Sequence, residues 1–391
     1  MGDWILAVHS GAGSYGSTNE AAYLAVLRAA LERGHDVLAT STCRPTAAQV
    51  AVHLLHSFEH SLLTNAGLNA NLTEEGRVEC EASVVCGRTH LVSSCGAVRG
   101  VKEPSALALK LLEQVDASDA RGGAFAFGRQ PPLVVVGDQA RRLAQKFGLE
   151  TASENEEELR NYQVTAKTRA HWDKWRRRFQ DVAKAETEEQ LDTVGAICID
   201  PMGNVAAALS SGGVAYKVPG RLGLAGCPRM GCDARNGHGS RKRKRHDSKN
   251  RTNAFALAST GRGEHFIRSN FVGNLSRRLA KAVDLEHELR KAFVRSSREN
   301  GDVAIQGGVL ALVSAPLEHN NDESLRHVQL GAAFTTPCMG VGYSQYRADA
   351  SREIRVQLLR LPDYQKSRTA DKLAVHVSSL QLHPEPERNV G

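Results

Sequence analysis

Gln190-Leu191-Asp192-Thr193-Val194-Gly195-Ala196-Ile197-Cys198-Ile199 is where the chain changes character, and the fold follows from the two sides of that junction. From Thr193 to Ile199 the residues are mostly apolar, Pro201-Met202-Gly203-Asn204 has the composition of a tight turn, and 205–209 runs back as a second strand. Before the junction, 151–192 carries Glu154, Glu156, Glu157 and Glu158, then a mixed-charge stretch with Trp172, Trp175 and Arg176-Arg177-Arg178. It holds no core-quality apolar run and reads as an exposed, mobile linker with some helix in it. A threonine thus stands where a mobile segment meets a rigid one. Its hydroxyl is a poor nucleophile without an adjacent base, but a threonine at the start of a chain has one in its own α-amine, with a pKa of about 7.7–8.0. A cut between Asp192 and Thr193 would create that arrangement and divide the chain into 1–192 and 193–391. The same residues also fit a threonine that merely opens a strand after a loop.

Outward from the junction, both halves alternate helical and strand patterns. Residues 4–8 form a short apolar strand entering the glycine turn His9-Ser10-Gly11-Ala12-Gly13. Helical spacing marks 19–39 and 46–60. Residues 67–87 read as a hairpin turning at Glu75-Gly76, and 105–114 as a helix capped by Ser105. A buried strand over 133–136 and a helix over 138–147 follow. After the junction, strands fit 253–258, 307–314 and 327–336, and a helix fits roughly 264–284.

The ordered set of motifs carries a resemblance. His9-Ser10-Gly11-Ala12-Gly13, Thr64-Asn65-Ala66-Gly67, Glu81-Ala82-Ser83, Asp192-Thr193-Val194-Gly195-Ala196, Ser210-Ser211-Gly212-Gly213, Gly220-Arg221-Leu222-Gly223 and Thr260-Gly261-Arg262-Gly263-Glu264 together resemble the type 2 asparaginase family of N-terminal-nucleophile hydrolases. Within that family the likeness is closer to the threonine aspartases. Ser211 stands where asparaginases carry Thr, His265 follows Glu264, Gly128-Arg129-Gln130-Pro131-Pro132 is similar to a segment of that branch, and a long charged linker precedes the cut. Gln190-Leu191-Asp192 looks like the Q-[LV]-D site that such proteases cleave. The resemblance implies a four-layer αββα sandwich of the α+β class. It also implies an autoprocessing threonine endopeptidase that cuts proteins after Asp, nuclear transcription regulators among them. The two fragments would form a heterodimer that can pair again.

Carried over residue by residue, Thr193 would be the nucleophile and Ser211 would hydrogen-bond and tune it. Thr260 and the N–H of Gly261 would form the oxyanion hole. Arg221 would grip the substrate aspartate with its guanidinium fork, and Asn65 would lie near the site as a polar positioning group. Small-molecule asparaginases have an Asp three residues after that Arg, holding an α-ammonium. Here Leu224 stands there, which favours a mid-chain Asp over free asparagine. Asn69-Ala70 departs from the Gly-Ser of relatives. An L-asparaginase or isoaspartyl peptidase is the alternative within the family.

Composition narrows the remaining classes. The chain has 391 residues, 41 % hydrophobic and 24 % charged, as an ordinary globular protein has. No apolar run approaches the ~18 residues of a membrane span. Neither a membrane partner nor, from the N-terminal residues, a secretory leader is expected. Eight cysteines from Cys43 to Cys338 include no C-x-x-C and read as reduced thiols. Of the formal charge of +7, residues 241–251 carry +6, so the rest is nearly neutral. That stretch, within a loop expected over 236–252, reads as an address for a nuclear import receptor, with residence in nucleus and cytoplasm. It contains no aromatic on which a base could stack, so nucleic acid is not an expected partner. A non-enzymatic nucleic-acid-binding scaffold is the alternative from another class.

Rival constellations are less complete. Gly11-Ala12-Gly13-Ser14-Tyr15-Gly16 with Asp36 has the spacing of a dinucleotide fingerprint, but Asp36 falls at a helix end. His53, His56 and His60 share a helix face, with Glu59 at a family position that supports the Asn65 loop. Cys227 and Cys232 with His238 and His246 have a loose zinc spacing. The histidines read as a helix surface and the cysteines as free thiols, so neither a metal nor another cofactor is expected.

Overall fold

Strand β1 (Trp4–Gly13) is buried along its whole length and is antiparallel to both of its neighbours, which come from the far half of the chain. In the computed structural model, residues 2–116, 130–180, 193–238, 251–315 except 302, 326–361 except 348 and 350, and 372–383 are described. The helices of the first half follow: α1 (Glu20–Thr40) and α2 (Ala47–Glu59), the latter opened by a capping box between Thr46 and Gln49. Then come β2 (Cys80–Cys86), β3 (Val92–Val98), α3 (Pro104–Asp116), β4 (Val134–Val136), α4 (Gly137–Lys146), α5 (Glu156–Asn161) and α6 (Ala166–Gln180). The second half supplies β5 (Val194–Ile199), β6 (Val205–Ser211), β7 (Cys232–Arg235), β8 (Ala254–Gly261), α7 (Gly263–Arg268), α8 (Phe271–Leu279) and α9 (Leu285–Glu299). It ends with β9 (Gly307–Ser314), β10 (Arg326–Phe334), β11 (Cys338–Tyr346), β12 (Arg352–Arg360) and β13 (Ala374–Leu382).

These strands make an eight-stranded sheet in the order β12-β11-β1-β5-β6-β2-β3-β4 and a five-stranded sheet in the order β13-β10-β9-β8-β7. Alternation along the strands divides the apolar residues among three cores, which is what stacks the molecule in four layers. Leu6, Val8, Ala196 and Ala208 face Leu27, Leu31, Leu54, Phe58 and Leu107 of α1, α2 and α3. Their neighbours Ile5, Ile197 and Leu209 meet Ala256, Leu310 and Phe334 between the sheets. Leu257 and Val309 turn the other way, onto Phe266, Phe271, Leu289 and Phe293 of α7, α8 and α9. The αββα sandwich expected from the sequence is the observed one.

Several local expectations are corrected. The stretch 151–180 is not an exposed linker. Ala152 and Leu159 are buried, and Val164 and Trp172 pack against a small cluster of Ala70, Leu72, Val78 and Cys80. Its apolar residues are spaced too widely to make a run, yet these four find places against the body of the protein. Residues 181–192, including Asp192, lie outside the described residues. The 133–136 strand is an exposed edge, with Val136 50 % accessible. The 67–87 hairpin shrinks to a turn at Glu75-Gly76 closed by one bridge, Leu72 with Val78. The 264–284 helix is two helices, broken at Asn270, whose φ of 46° is left-handed. Since β1 is antiparallel to β5 and β11, the glycines after it do not belong to a parallel βαβ unit, which removes the dinucleotide reading.

Candidate active site

Strand parity brings three of the expected residues to one layer. In β5, Ile197 and Ile199 face the inter-sheet core; in β6, Val205, Ala207 and Leu209 do; in β8, Ala254, Ala256 and Ala258 do. Thr193, Ser211 and Thr260 continue those alternations, so all three belong to the space between the sheets. Ser210 lies on the opposite, helix-facing side, where its hydroxyl donates to Glu59 at 2.7 Å.

Thr193 is buried, at the head of β5, and its Oγ1 donates to Ser211 Oγ at 3.2 Å. Ser211 Oγ also accepts from the backbone N–H of Gly213 at 2.9 Å. The Gly213 carbonyl then accepts from Asn65 Nδ2 at 2.7 Å and Asn71 Nδ2 at 2.9 Å, while the Asn65 carbonyl accepts from Gly212 N at 2.8 Å. The threonine hydroxyl is thereby joined through one glycine turn to the 65–71 loop. Gly213 has a φ of +67°, a conformation that a side chain would strain.

Arg221 reaches the same turn from the loop after β6, its Nη1 3.1 Å from where a Cβ on Gly213 would stand. Its Nε and Nη2 both bond Glu264 Oε1, the acid at the start of α7. Glu81, which pairs with Ser211 across β2 and β6, is buried and accepts from Gly223 N at 2.6 Å. Burial pushes its carboxyl up, and the Gly223 N–H, Arg221 and Lys217 offset part of that. Leu224 is buried in the third core against Phe255, Leu257 and Phe266 and contributes no charge to the site.

Thr260 and Gly261 end β8. Thr260 Oγ1 is buried and makes no hydrogen bond among the described residues, leaving a hydroxyl free to donate. Gly261 has a φ of +134°, and a Cβ there would collide with the Gln306 carbonyl. His9 lies beside the head of β5, where a Cβ on Gly195 would strike its imidazole. Burial brings that imidazole down to about 3, offset in part by the Thr193 backbone, so it is neutral. Glu59, also buried, is raised to about 7 by burial; bonds from Ser210 and Ser105 oppose the rise.

A model of the asparaginase family matches residues 2–240, more than half of the chain. The chain belongs to the asparaginase family. Among curated asparaginase-family relatives, a plant-type L-asparaginase of Pyrobaculum calidifontis is 30 % identical over 76 % of this chain and 86 % of its own length. An isoaspartyl peptidase of Escherichia coli is 28 % identical over 69 % of this chain and 74 % of its own. An isoaspartyl peptidase/L-asparaginase of Xenopus laevis is 28 % identical over 68 % and 72 %. Membership of the asparaginase family makes the chain an N-terminal-nucleophile hydrolase by fold and general class.

The candidate site is thus one hydrogen-bonded group, Thr193-Ser211-Gly213-Asn65, with Arg221 and Glu264 against it and Thr260-Gly261 at the end of β8. Sequence motifs named Glu81, Glu264 and His9 without giving them a task. Lys217 was not singled out, because a lysine in a polar loop has no sequence signal of burial. The α2 histidines do share one face, with ring centroids 5.1 Å apart for His53 and His56 and 6.3 Å for His56 and His60. His56 is buried rather than on the helix surface, and it and His60 contact Glu103. Cys232 is buried against Ser83 Oγ, and all eight cysteines are free. Among the described residues no three His, Cys, Asp or Glu side chains are placed to hold a metal ion. His246 and 241–250 of the basic stretch lie outside the described residues.

Proposed function

We propose that this chain is an autoprocessing threonine endopeptidase that cuts itself between Asp192 and Thr193 and then cuts polypeptides after Asp. The observation that carries the proposal is the Thr193–Ser211 hydroxyl pair, 3.2 Å apart and buried at the head of a central strand. Once freed, the Thr193 α-amine takes the proton from Oγ1 as that oxygen attacks the main-chain carbonyl carbon of the substrate Asp. Ser211, oriented by the Gly213 N–H, steadies the hydroxyl. Thr260 Oγ1 and the Gly261 N–H stabilise the tetrahedral oxyanion. Collapse breaks the C–N bond, and the protonated amine delivers its proton to the leaving peptide. Water then hydrolyses the Thr193 ester, and the same amine activates it. Arg221 binds the Asp carboxylate, and Asn65 holds the turn beside it.

Polypeptide rather than free asparagine is favoured by Leu224. An amino-acid substrate brings an α-ammonium that needs an anion, and that position faces an apolar core instead. The names of the relatives favour a second reading, L-asparaginase or isoaspartyl peptidase. N-terminal sequencing of the purified protein tests the first step: a second chain beginning Thr-Val-Gly-Ala-Ile is expected. Cleavage of a peptide containing Gln-Leu-Asp, with little ammonia from L-asparagine, supports the endopeptidase; the reverse supports the second reading. Also proposed are a heterodimer of the two fragments, able to pair again, and nuclear entry directed by 241–251 through an import receptor. Deletion of 241–251 should then disturb localisation and spare cleavage.

A further inference from the structure

Lys217 lies in the loop after β6, four residues before Arg221, and is 5 % exposed. Its ammonium donates to the Glu79 carbonyl at 2.6 Å and to the Gly212 carbonyl. Its backbone is fixed as well, bridged to Thr73, with its carbonyl accepting from Glu74 N at 2.9 Å. An ammonium has three N–H donors, and these two carbonyls use two. Lys217 makes no ion pair among the described residues. A buried charge held only by carbonyls is costly to desolvate, and a neutral donor could tie the same two oxygens more cheaply. The excess is a positive charge, and its place is specific. Lys217 Nζ stands 3.3 Å and Arg221 Nη1 3.1 Å from the same point, where a Cβ on Gly213 would be. Two cations therefore converge on the glycine whose N–H orients Ser211.

We propose that Lys217 is a positioning and specificity residue of this site: it clamps the Gly212-Gly213 turn against Glu79 and adds a second positive charge beside Arg221, so that the pair selects an aspartate side chain. The inference rests on the reading of Arg221 as the carboxylate-binding residue. A carboxylate approaching Arg221 meets the Nη1 edge that Glu264 leaves open, with the Lys217 ammonium beside it, in a partly buried place where attraction is screened less than in water.

The test uses the full-length, matured protein and a peptide containing Gln-Leu-Asp. Lys217→Gln keeps donors for the carbonyls and removes the charge. It should raise KM about tenfold while kcat changes by less than about threefold. Lys217→Arg keeps the charge and should hold KM within about threefold of wild type. Wild-type KM should also rise at alkaline pH, beginning below the ordinary lysine range, because burial lowers Lys217. The groups facing it are Glu79, Glu81, Cys80 and Arg221. Burial pushes the Cys80 thiol up to about 12. A merely structural clamp would move melting temperature and leave KM flat with pH. An unchanged KM in Lys217→Gln, equal losses in Gln and Arg variants, or a wild-type KM flat through the alkaline range overturns the proposal. Should the Gln variant fail to fold, the wild-type pH profile decides without it. A wild-type protein that cannot cut the peptide overturns the Arg221 reading too, and so is told apart from failure of Lys217 alone.

Discussion

Arg221 is held side-on by Glu264: Nε and Nη2 both donate to Oε1, at 3.0 and 2.7 Å. That edge of the guanidinium is occupied, and Nη1 is left toward Gly213. Glu264 thus fixes which edge of the fork a substrate meets. Burial raises its carboxyl, but the hydrogen bond and the charge of Arg221, with smaller help from its own backbone N–H and His265, together hold it below the ordinary range. Glu264→Gln should raise KM for an Asp-containing peptide about threefold to tenfold with kcat nearly unchanged. In the wild type the ion pair weakens only when Glu264 protonates, so this contribution to KM should be lost only below the ordinary glutamate pKa of about 4.3. A lower KM in Glu264→Gln would mean that the acid competes with substrate instead.

Thr193→Ala removes the hydroxyl from which both self-cleavage and peptide cleavage are proposed to start. The variant should stay full length on a denaturing gel and show no peptidase activity. Any second chain of this variant whose N-terminus lies at position 193 would refute the assignment.

Ser211→Ala should lower kcat about tenfold to a hundredfold, or about 1.4–2.7 kcal/mol of barrier, with KM little changed. The reason is local. Ser211 Oγ is bonded to Thr193 Oγ1 and Gly213 N, and the guanidinium of Arg221 is bonded to Glu264 instead. Steady-state kinetics of the matured variant check the split.

Leu224→Asp is not expected to create an asparaginase. The residue packs on Phe255, Leu257 and Phe266, so an aspartate there would be desolvated without a partner. A loss of about 3 kcal/mol or more is expected in urea unfolding, with no gain in ammonia release from L-asparagine.

Acid should destabilise the fold well above the carboxylate range. His9 is lowered from 6.5 to about 3 and His35 from 6.5 to about 4, in both cases first by burial. Each is neutral when folded, so the unfolded chain binds more protons between those values and 6.5. Stability should therefore fall as pH drops below 6.5, by up to about 1.4 kcal/mol per pH unit per histidine. Glu59, raised from 4.5 to about 7, acts oppositely: its contribution is present below 4.5 and lost as pH rises through about 7. Urea melts between pH 7.5 and 4.5 measure the balance. Replacing His35 by Gln should flatten the acid side.

The layers were legible because period-2 and period-3.6 patterns are strong wherever one face is buried, as in β5, β6, α1 and α2. The nucleophile was legible because Thr193 sits at a change of texture and within a family motif. What was not legible depends on contacts between distant segments. Trp172 looked like part of a charged linker until Leu72 and Val78 gave it a place to pack. Asn270 broke a helix through a left-handed φ that its sequence permits but does not demand. Glu264 stood inside a recognised motif, but its bond to Arg221 joins α7 to the loop after β6. Lys217 reads as a surface residue in any local window.

The strand order has a consequence for the proposed cut. From β11 to β2 the large sheet runs second half, first half, second half, second half, first half, so β1 is laced between β11 and β5 while β2 lies beside β6. Severing the chain before Thr193 would change its covalent ends without opening a seam. Neither piece would keep a complete large sheet if the other left. The two would unfold together as one cooperative unit, and a cut protein would be as hard to pull apart as an intact one. Processing of such a molecule is a one-way change of chemistry at a single residue: it exposes an amine inside a body that stays shut.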